Sequence, residues 1–440
     1  MQLRTLAAVA LAALPLLAGC RTDDALGGPD LSATHGLFQR YVAMGNSITA
    51  GFQSGGINDS TQAQSYAVLV AQQAGVSQSF FVPYLNRPGC PAPIQVNSVN
   101  PPVLVGGSTT PGCALRRPIG SMPFVSNVAV PNATSFSPLS NTDPASNTNI
   151  LTQMILGGRT QVQAMQAAKP TFVSAWIGNN DVLGALTSRT NPGNPALVTP
   201  LPVFQANYKA LVDSIAATGA KAILIGVADV ASIPYATPGA VYWCLKTGLC
   251  PGVPAGGFPP TLTVANNCSP ASTPFAGQGE ATLIPWVIAL PKFAAAAQGV
   301  PQTIDCAVDE EVVLPAETQN LQAAVTGYNA FIKAQAAEHD WAYLDVNPVL
   351  VAAKAEIPAA GQQPKVATFP CLPGLTPAQV AAGTPCGPSG GLNKTPNVLF
   401  GTYFSLDGAH PSALAHRVIA DSVIATINAK YATTIPLAGL

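Results

Sequence analysis

Three short runs carry residue types that together can attack an acyl group. Gly45-Asn46-Ser47-Ile48-Thr49-Ala50-Gly51 directly follows a β-rich run. A serine at a strand-to-loop turn holds its Oγ at the top of a sheet, where it becomes a nucleophile once a base takes its proton. A serine that merely caps a helix looks the same. Ser405-Leu406-Asp407-Gly408-Ala409-His410-Pro411 contains a base and its partner. A carboxylate three residues before a histidine reaches the Nδ1–H within one turn, which leaves Nε2 to accept a proton. An ordinary turn before a helix is the alternative there. Trp176-Ile177-Gly178-Asn179-Asn180-Asp181 supplies an amide that donates two hydrogen bonds and is never charged. That suits a donor to a developing oxyanion, although Gly-Asn-Asn-Asp is also plain turn chemistry.

The elements around these runs tell the readings apart. Gln39 to Met44, Thr171 to Ile177, Lys221 to Val227 and Trp341 to Val346 read as strands. Between them, Ser65 to Ala74, Asn149 to Ala168, Val203 to Thr218 and Glu317 to Glu338 read as helices. Ser412 to Lys430 reads as a last helix with Pro411 in its first turn. Strands alternating with helices predict an α/β fold with a doubly wound parallel sheet. Such sheets bind ligands outside the carboxyl ends of their strands. Two of the strands end at Gly45 and Gly178, each followed at once by one of the polar runs. Pro238 to Leu314 breaks the rhythm with four cysteines and the apolar stretch Leu283 to Leu290. It reads as an insertion, either a cap over the site or an excursion that covers a sheet edge.

The order and local sequences of the three runs resemble the SGNH (GDSL-type) hydrolase family, in its bacterial lipoprotein form. The resemblance covers roughly residues 38–430, apart from the insertion at about 238–314, and implies a flavodoxin-like three-layer architecture. It implies that Ser47 is the nucleophile, His410 the general base and Asp407 its orienter. The oxyanion hole would take the Ser47 N–H, the Asn180 side chain and a backbone N–H from a second block. Asn127-Val128-Ala129-Val130-Pro131-Asn132-Ala133-Thr134 resembles that block, with Asn132 where the family has Gly. Asparagine also has the N–H and tolerates left-handed backbone better than most residues. Gly157 or Gly158 is the alternative donor. Asn46 stands where the family name implies Asp. Such chemistry needs no metal and no organic cofactor.

Arg4, the apolar stretch Leu6 to Leu17 and a small-residue site form an export signal over residues 1–19. Leu17-Ala18-Gly19-Cys20 resembles a lipobox, which implies a lipidated Cys20 and a tether over residues 20–37. The protein is then expected at the cell envelope, on the outer membrane where the host has two, held by lipid rather than by a spanning helix. Eight cysteines remain. In an exported chain an even number reads as disulfides. Eight allow 105 pairings. Neighbouring pairs are favoured because each brackets a Pro/Gly-rich loop: Cys90–Cys113, Cys244–Cys250, Cys268–Cys306 and Cys371–Cys386. A zinc site is disfavoured, since no C-x2-C pair occurs. The net charge of −1 gives no footprint for nucleic acid.

Other candidates fail on context. Gly387-Pro388-Ser389-Gly390-Gly391 has loop on both sides, whereas a nucleophile elbow needs a strand before and a helix after. His339 reads as a solvated helix end, His416 as a surface residue of the last helix, and His35 as part of the tether. The expected substrate is a small-molecule, lipid or glycan ester. The Leu283 to Leu290 stretch and the anchor favour an acyl ester or lipid over a polysaccharide O-acetyl ester. A non-catalytic surface-binding protein on the same scaffold would not need Ser47, Asn180, Asp407 and His410 all intact.

Overall fold

The computed structural model describes residues 32–96, 102–118, 122–251, 253, 255, 258–357, 363–367, 369 and 399–439. The export signal, Cys20, most of the expected tether, the Cys371–Cys386 pair and Ser389 lie outside the described residues.

Four strands form one parallel sheet: β1 (Tyr41–Gly45), β2 (Phe172–Trp176), β3 (Lys221–Ile225) and β4 (Ala342–Leu344). They lie side by side in chain order. On the free side of β1 the segment around Asn127 runs parallel, with Ala43 N–H donating to Ser126 O and Val128 N–H to Ala43 O. Counting that segment, the order along the chain reverses at β1. This is the switch point at which doubly wound sheets collect their ligands.

Alternation along the strands divides the core. Val42, Met44, Val173, Ala175 and Leu224 face one layer, built by the helices Gln161–Ala168, Leu201–Ala216 and Pro315–Glu338. Tyr41, Ala43, Phe172, Ile223 and Ile225 face the other, built by Tyr66–Gln73 and Ala413–Tyr431. The Leu201–Ala216 helix buries Phe204, Tyr208, Leu211, Val212 and Ile215, a single stripe at helical spacing. Ser65 caps the Tyr66–Gln73 helix through the Ala67 N–H, and Ser412 caps the last helix through the Ala415 N–H.

Several local expectations change. The single helix expected over 149–168 is two, Ile150–Leu156 and Gln161–Ala168. Gly157 and Gly158 both take positive φ, and Thr160 with Gln163 forms a capping box that starts the second helix. Pro411 precedes the cap of the last helix instead of sitting in its first turn. The tether expected up to residue 37 overlaps a helix, Ser32–Phe38, whose Phe38 is buried.

The described cysteines pair as neighbours: Cys90–Cys113, Cys244–Cys250 and Cys268–Cys306. The 238–314 insertion folds around two of these bridges and an aromatic group of Tyr242, Phe258 and Phe293, which packs on Phe369. Its Trp286 meets Phe400 edge-on at 5.9 Å. Phe400 in turn lies against Gly408, so the insertion backs the loop that carries Asp407 and His410.

Ile424 is fully buried between the last helix and the sheet. Ile424→Ala removes that packing without touching a polar group. We expect a loss of about 2–5 kcal/mol in urea unfolding, with the activity of the folded fraction unchanged.

Candidate active site

Ser47 opens a one-turn helix, Ser47–Ala50, directly after β1. Asn46 caps it, with Oδ1 accepting the Ile48 N–H at 3.1 Å. An aspartate would accept the same bond, so the turn needs only a side-chain oxygen at this position. Gly45 is forced by the turn: a Cβ there would lie 2.1 Å from Thr49 Oγ1. Gln161 grips both polar groups of Gly45, at 3.0 Å to its N–H and 2.9 Å to its carbonyl. The strand end therefore cannot drift, and the first-turn N–H of Ser47 needs no intrahelical partner.

His410 Nε2 stands 2.9 Å from Ser47 Oγ, and His410 Nδ1 stands 2.9 Å from Asp407 Oδ2. A carboxylate only accepts, so Nδ1 carries the proton and Nε2 is free to take one from the hydroxyl. The Phe52 ring packs 4.9 Å from the imidazole. Asp407 also accepts from the N–H groups of Gly55 (2.6 Å), Ala409 (2.9 Å) and His410 (2.9 Å), and from Ser405 Oγ at 3.1 Å. Burial pushes the Asp407 carboxyl up, but the charge of His410 and these donors outweigh it. They hold the group well below the usual carboxylate range.

The second block runs beside β1 into a tight turn closed by the Ala133 N–H and Val130 O. Val130 N–H donates to Gly45 O, so Asn132 lies just past the level of the serine turn. Asn132 is exposed, with φ of 67° in the left-handed region. Asn180 Nδ2 donates to Ala133 O at 2.9 Å and ties this turn to the end of β2. Gly157 and Gly158, the alternative donors, end the Ile150–Leu156 helix, and Gly158 O accepts from Asn141.

Next to Asn180, Asp181 completes the tie. It accepts from Ser135 N–H and Ser135 Oγ, both at 2.7 Å. Burial pushes its carboxyl up to about 6 despite these bonds. The sequence motif includes Asp181, but its partner Ser135 is 46 residues away and carries no local signal. Gly55, which supports Asp407 from 352 residues away, is equally invisible in sequence. His416 is a correction: it is fully buried, not on the surface. Its Nδ1 accepts the Tyr66 N–H at 3.2 Å, and burial together with the charge of His410 pushes it down to about 3.

Ser47, Asn180 and His410 stand on a cavity of about 120 Å³. Trp176 and Leu344 line it at the strand ends, and Val230 and Ile233 line it after β3. Among the described residues, none of its lining comes from the 238–314 insertion.

Asp181 yields a pH test. The folded state keeps its proton to higher pH than the unfolded chain does. The stability it contributes is full below the ordinary carboxylate value of about 4 and is lost as pH rises through about 6. Urea midpoints should therefore fall across that window in the wild type relative to Asp181→Asn. Parallel curves would show that Asp181 titrates alike in the folded and unfolded chain.

The sequence matches the family described as GDSL-like Lipase/Acylhydrolase over residues 41–423. No curated protein sequence matches it. Among solved structures it is similar to a catalytic mutant of an acetylxylan esterase from Geobacillus stearothermophilus. The identity is 12%, over 88% of this chain and 93% of that one, with a TM-score of 0.32. It is also similar to the acetyl xylan esterase AlAXEase, at 10% identity over 88% and 99% of the two chains, TM-score 0.31. The family match begins at the first residue of β1 and ends within the last helix. It thus takes in every element that positions Ser47, Asn180, Asp407 and His410, and the chain belongs to the GDSL-like lipase/acylhydrolase family of ester-bond hydrolases.

Proposed function

We propose that this protein is a lipid-anchored, extracytoplasmic serine esterase that cleaves acyl esters through an acyl-enzyme on Ser47. The observation that carries the proposal is the 2.9 Å contact from Ser47 Oγ to His410 Nε2 at an apolar cavity. Ser47 Oγ bonds to the ester carbonyl carbon while its proton passes to His410 Nε2. The carbonyl oxygen, now negative, takes hydrogen bonds from the Ser47 N–H, the Asn132 N–H and the Asn180 amide. The tetrahedral centre collapses, the carbon–oxygen bond to the alcohol breaks, and His410 gives its proton to the leaving oxygen. Water then attacks the acyl-enzyme with His410 as base. The acid leaves, and the proton returns to Ser47. Asp407 stabilises the imidazolium in both halves and stays ionised.

The cavity walls support an acyl or lipid ester over a glycan O-acetyl ester, because they are mainly aliphatic and offer little for hydroxyls to bond. The Leu17-Ala18-Gly19-Cys20 run supports the anchor.

Ser47→Ala should lower kcat on p-nitrophenyl butyrate at least about 10⁴-fold with the fold intact. Wild-type turnover in that variant removes Ser47 from the mechanism. Acetylated xylan cleaved faster than any simple acyl ester would replace the acyl reading with the glycan one. For Asp407→Asn the loss should be about 10⁴-fold in kcat with KM little changed, because the histidine tautomer is lost and the binding surface is not. Steady-state kinetics on the purified variant checks this.

A further inference from the structure

Two helices supply part of the cavity wall. Ala413–Tyr431 contributes Ala415, Val418 and Ile419, and the helix Asn347–Ala355 contributes Val349, Leu350 and Ala353. On each helix these positions follow helical spacing, so each presents one apolar stripe. On the last helix the lining continues to Ser422, two turns and about 10 Å from Ala415; the Ser422 hydroxyl is turned onto the helix's own Val418 carbonyl. His410 and Ala415 both line the cavity, so the slot starts at the imidazole and leads away from it. Leu344, from the end of β4, also lines it. Among the described residues, no Asp, Glu, Lys or Arg lines the cavity.

We propose that this slot holds the acyl chain of the ester, in extended form, and that Ile419 and Ala353 set the length it accepts. The inference rests on the ester hydrolysis proposed above. The order of the two chemical steps favours the acyl side over the alcohol. The alcohol must depart and water must arrive while the acyl group is still bonded to Ser47. A walled, apolar slot suits the group that stays rather than the groups that exchange. Each methylene that enters the slot adds about fourfold to kcat/KM, until the slot is full. A linear aliphatic acyl group of medium length is thus the substrate class. A branched or charged acyl group is excluded by shape and by the cost of desolvation.

The test is a p-nitrophenyl ester series from acetate to dodecanoate, with wild type, Ile419→Trp and Ala353→Trp. In the wild type kcat/KM should climb from acetate to about octanoate and then level or fall. In each Trp variant the octanoate-to-acetate ratio of kcat/KM should drop at least tenfold, because the slot is shortened. If a Trp variant does not fold, Ile419→Ala decides the question, since a wider slot should move the optimum to longer chains. A flat series in the wild type, or an unchanged ratio and optimum in the folded variants, overturns the slot while leaving ester hydrolysis in place. A wild type that hydrolyses no ester in the series overturns the esterase itself.

Discussion

The site depends on keeping one carboxylate charged where water is scarce. Burial alone would protonate Asp407, and a neutral partner would not hold His410 in the tautomer that accepts a proton. The chain prevents this by aiming donors from two distant segments at one group. Ala409, His410 and Ser405 come from the loop of Asp407 itself, and Gly55 comes from a loop 352 residues earlier. The two loops are laced further by Ser54 N–H to Ser405 Oγ and Leu406 N–H to Ser54 Oγ. The earlier loop is anchored in turn where Ile57 exchanges backbone bonds with Pro91 and Cys90, beside the Cys90–Cys113 bridge. A Cβ on Gly56 would lie 2.4 Å from Pro93 N, so that contact admits no side chain. The disulfide and the carboxylate are parts of one support, although neither touches the other.

The same logic explains the last helix. The sheet delivers Ser47 and Asn180 from strand ends, but His410 and Asp407 sit on a loop with no strand to fix it. Their position relies on how Ala413–Tyr431 packs against Tyr66–Gln73. His416 joins these helices inside the core by accepting the Tyr66 N–H. A protonated His416 could not accept that bond, which agrees with burial holding it neutral. On the opposite side, Trp286 and Phe400 back the turn at Gly408. The loop is therefore clamped between a helix that follows it and an insertion whose Trp286 precedes it by more than a hundred residues.

Sequence reading reached the parts whose causes are local. The four β-rich runs and the three polar runs all lie within a few residues of what they determine, and each is legible in the sequence. The parts that failed have distant causes. His416 sits on the last helix among apolar neighbours, yet its burial is decided by a partner 350 residues away. The stripe Ala415, Val418, Ile419 was present as a pattern, but only the facing helix turns it into a slot. The break at Gly157 and Gly158 and the Ser412 cap are local signals that the sequence reading misses. A lone glycine is tolerated in a helix, but two in succession free enough backbone to end it.

Gly45 and Asn132 show why departures from a family pattern differ in weight. At Gly45 the constraint is volume, because Thr49 Oγ1 occupies the place a Cβ would take. Any other residue there would displace the turn that aims Ser47. At Asn132 the constraint is conformation: the backbone has φ of 67° so that the turn can present its N–H groups. Asparagine adopts that region at lower cost than other side-chain-bearing residues, and its exposed amide meets no wall. This chain thus reaches left-handed backbone in the turn without a glycine. What the position must conserve is the turn between Val130 and Ala133, and Asn180 holds that turn from the far side through the carbonyl of Ala133.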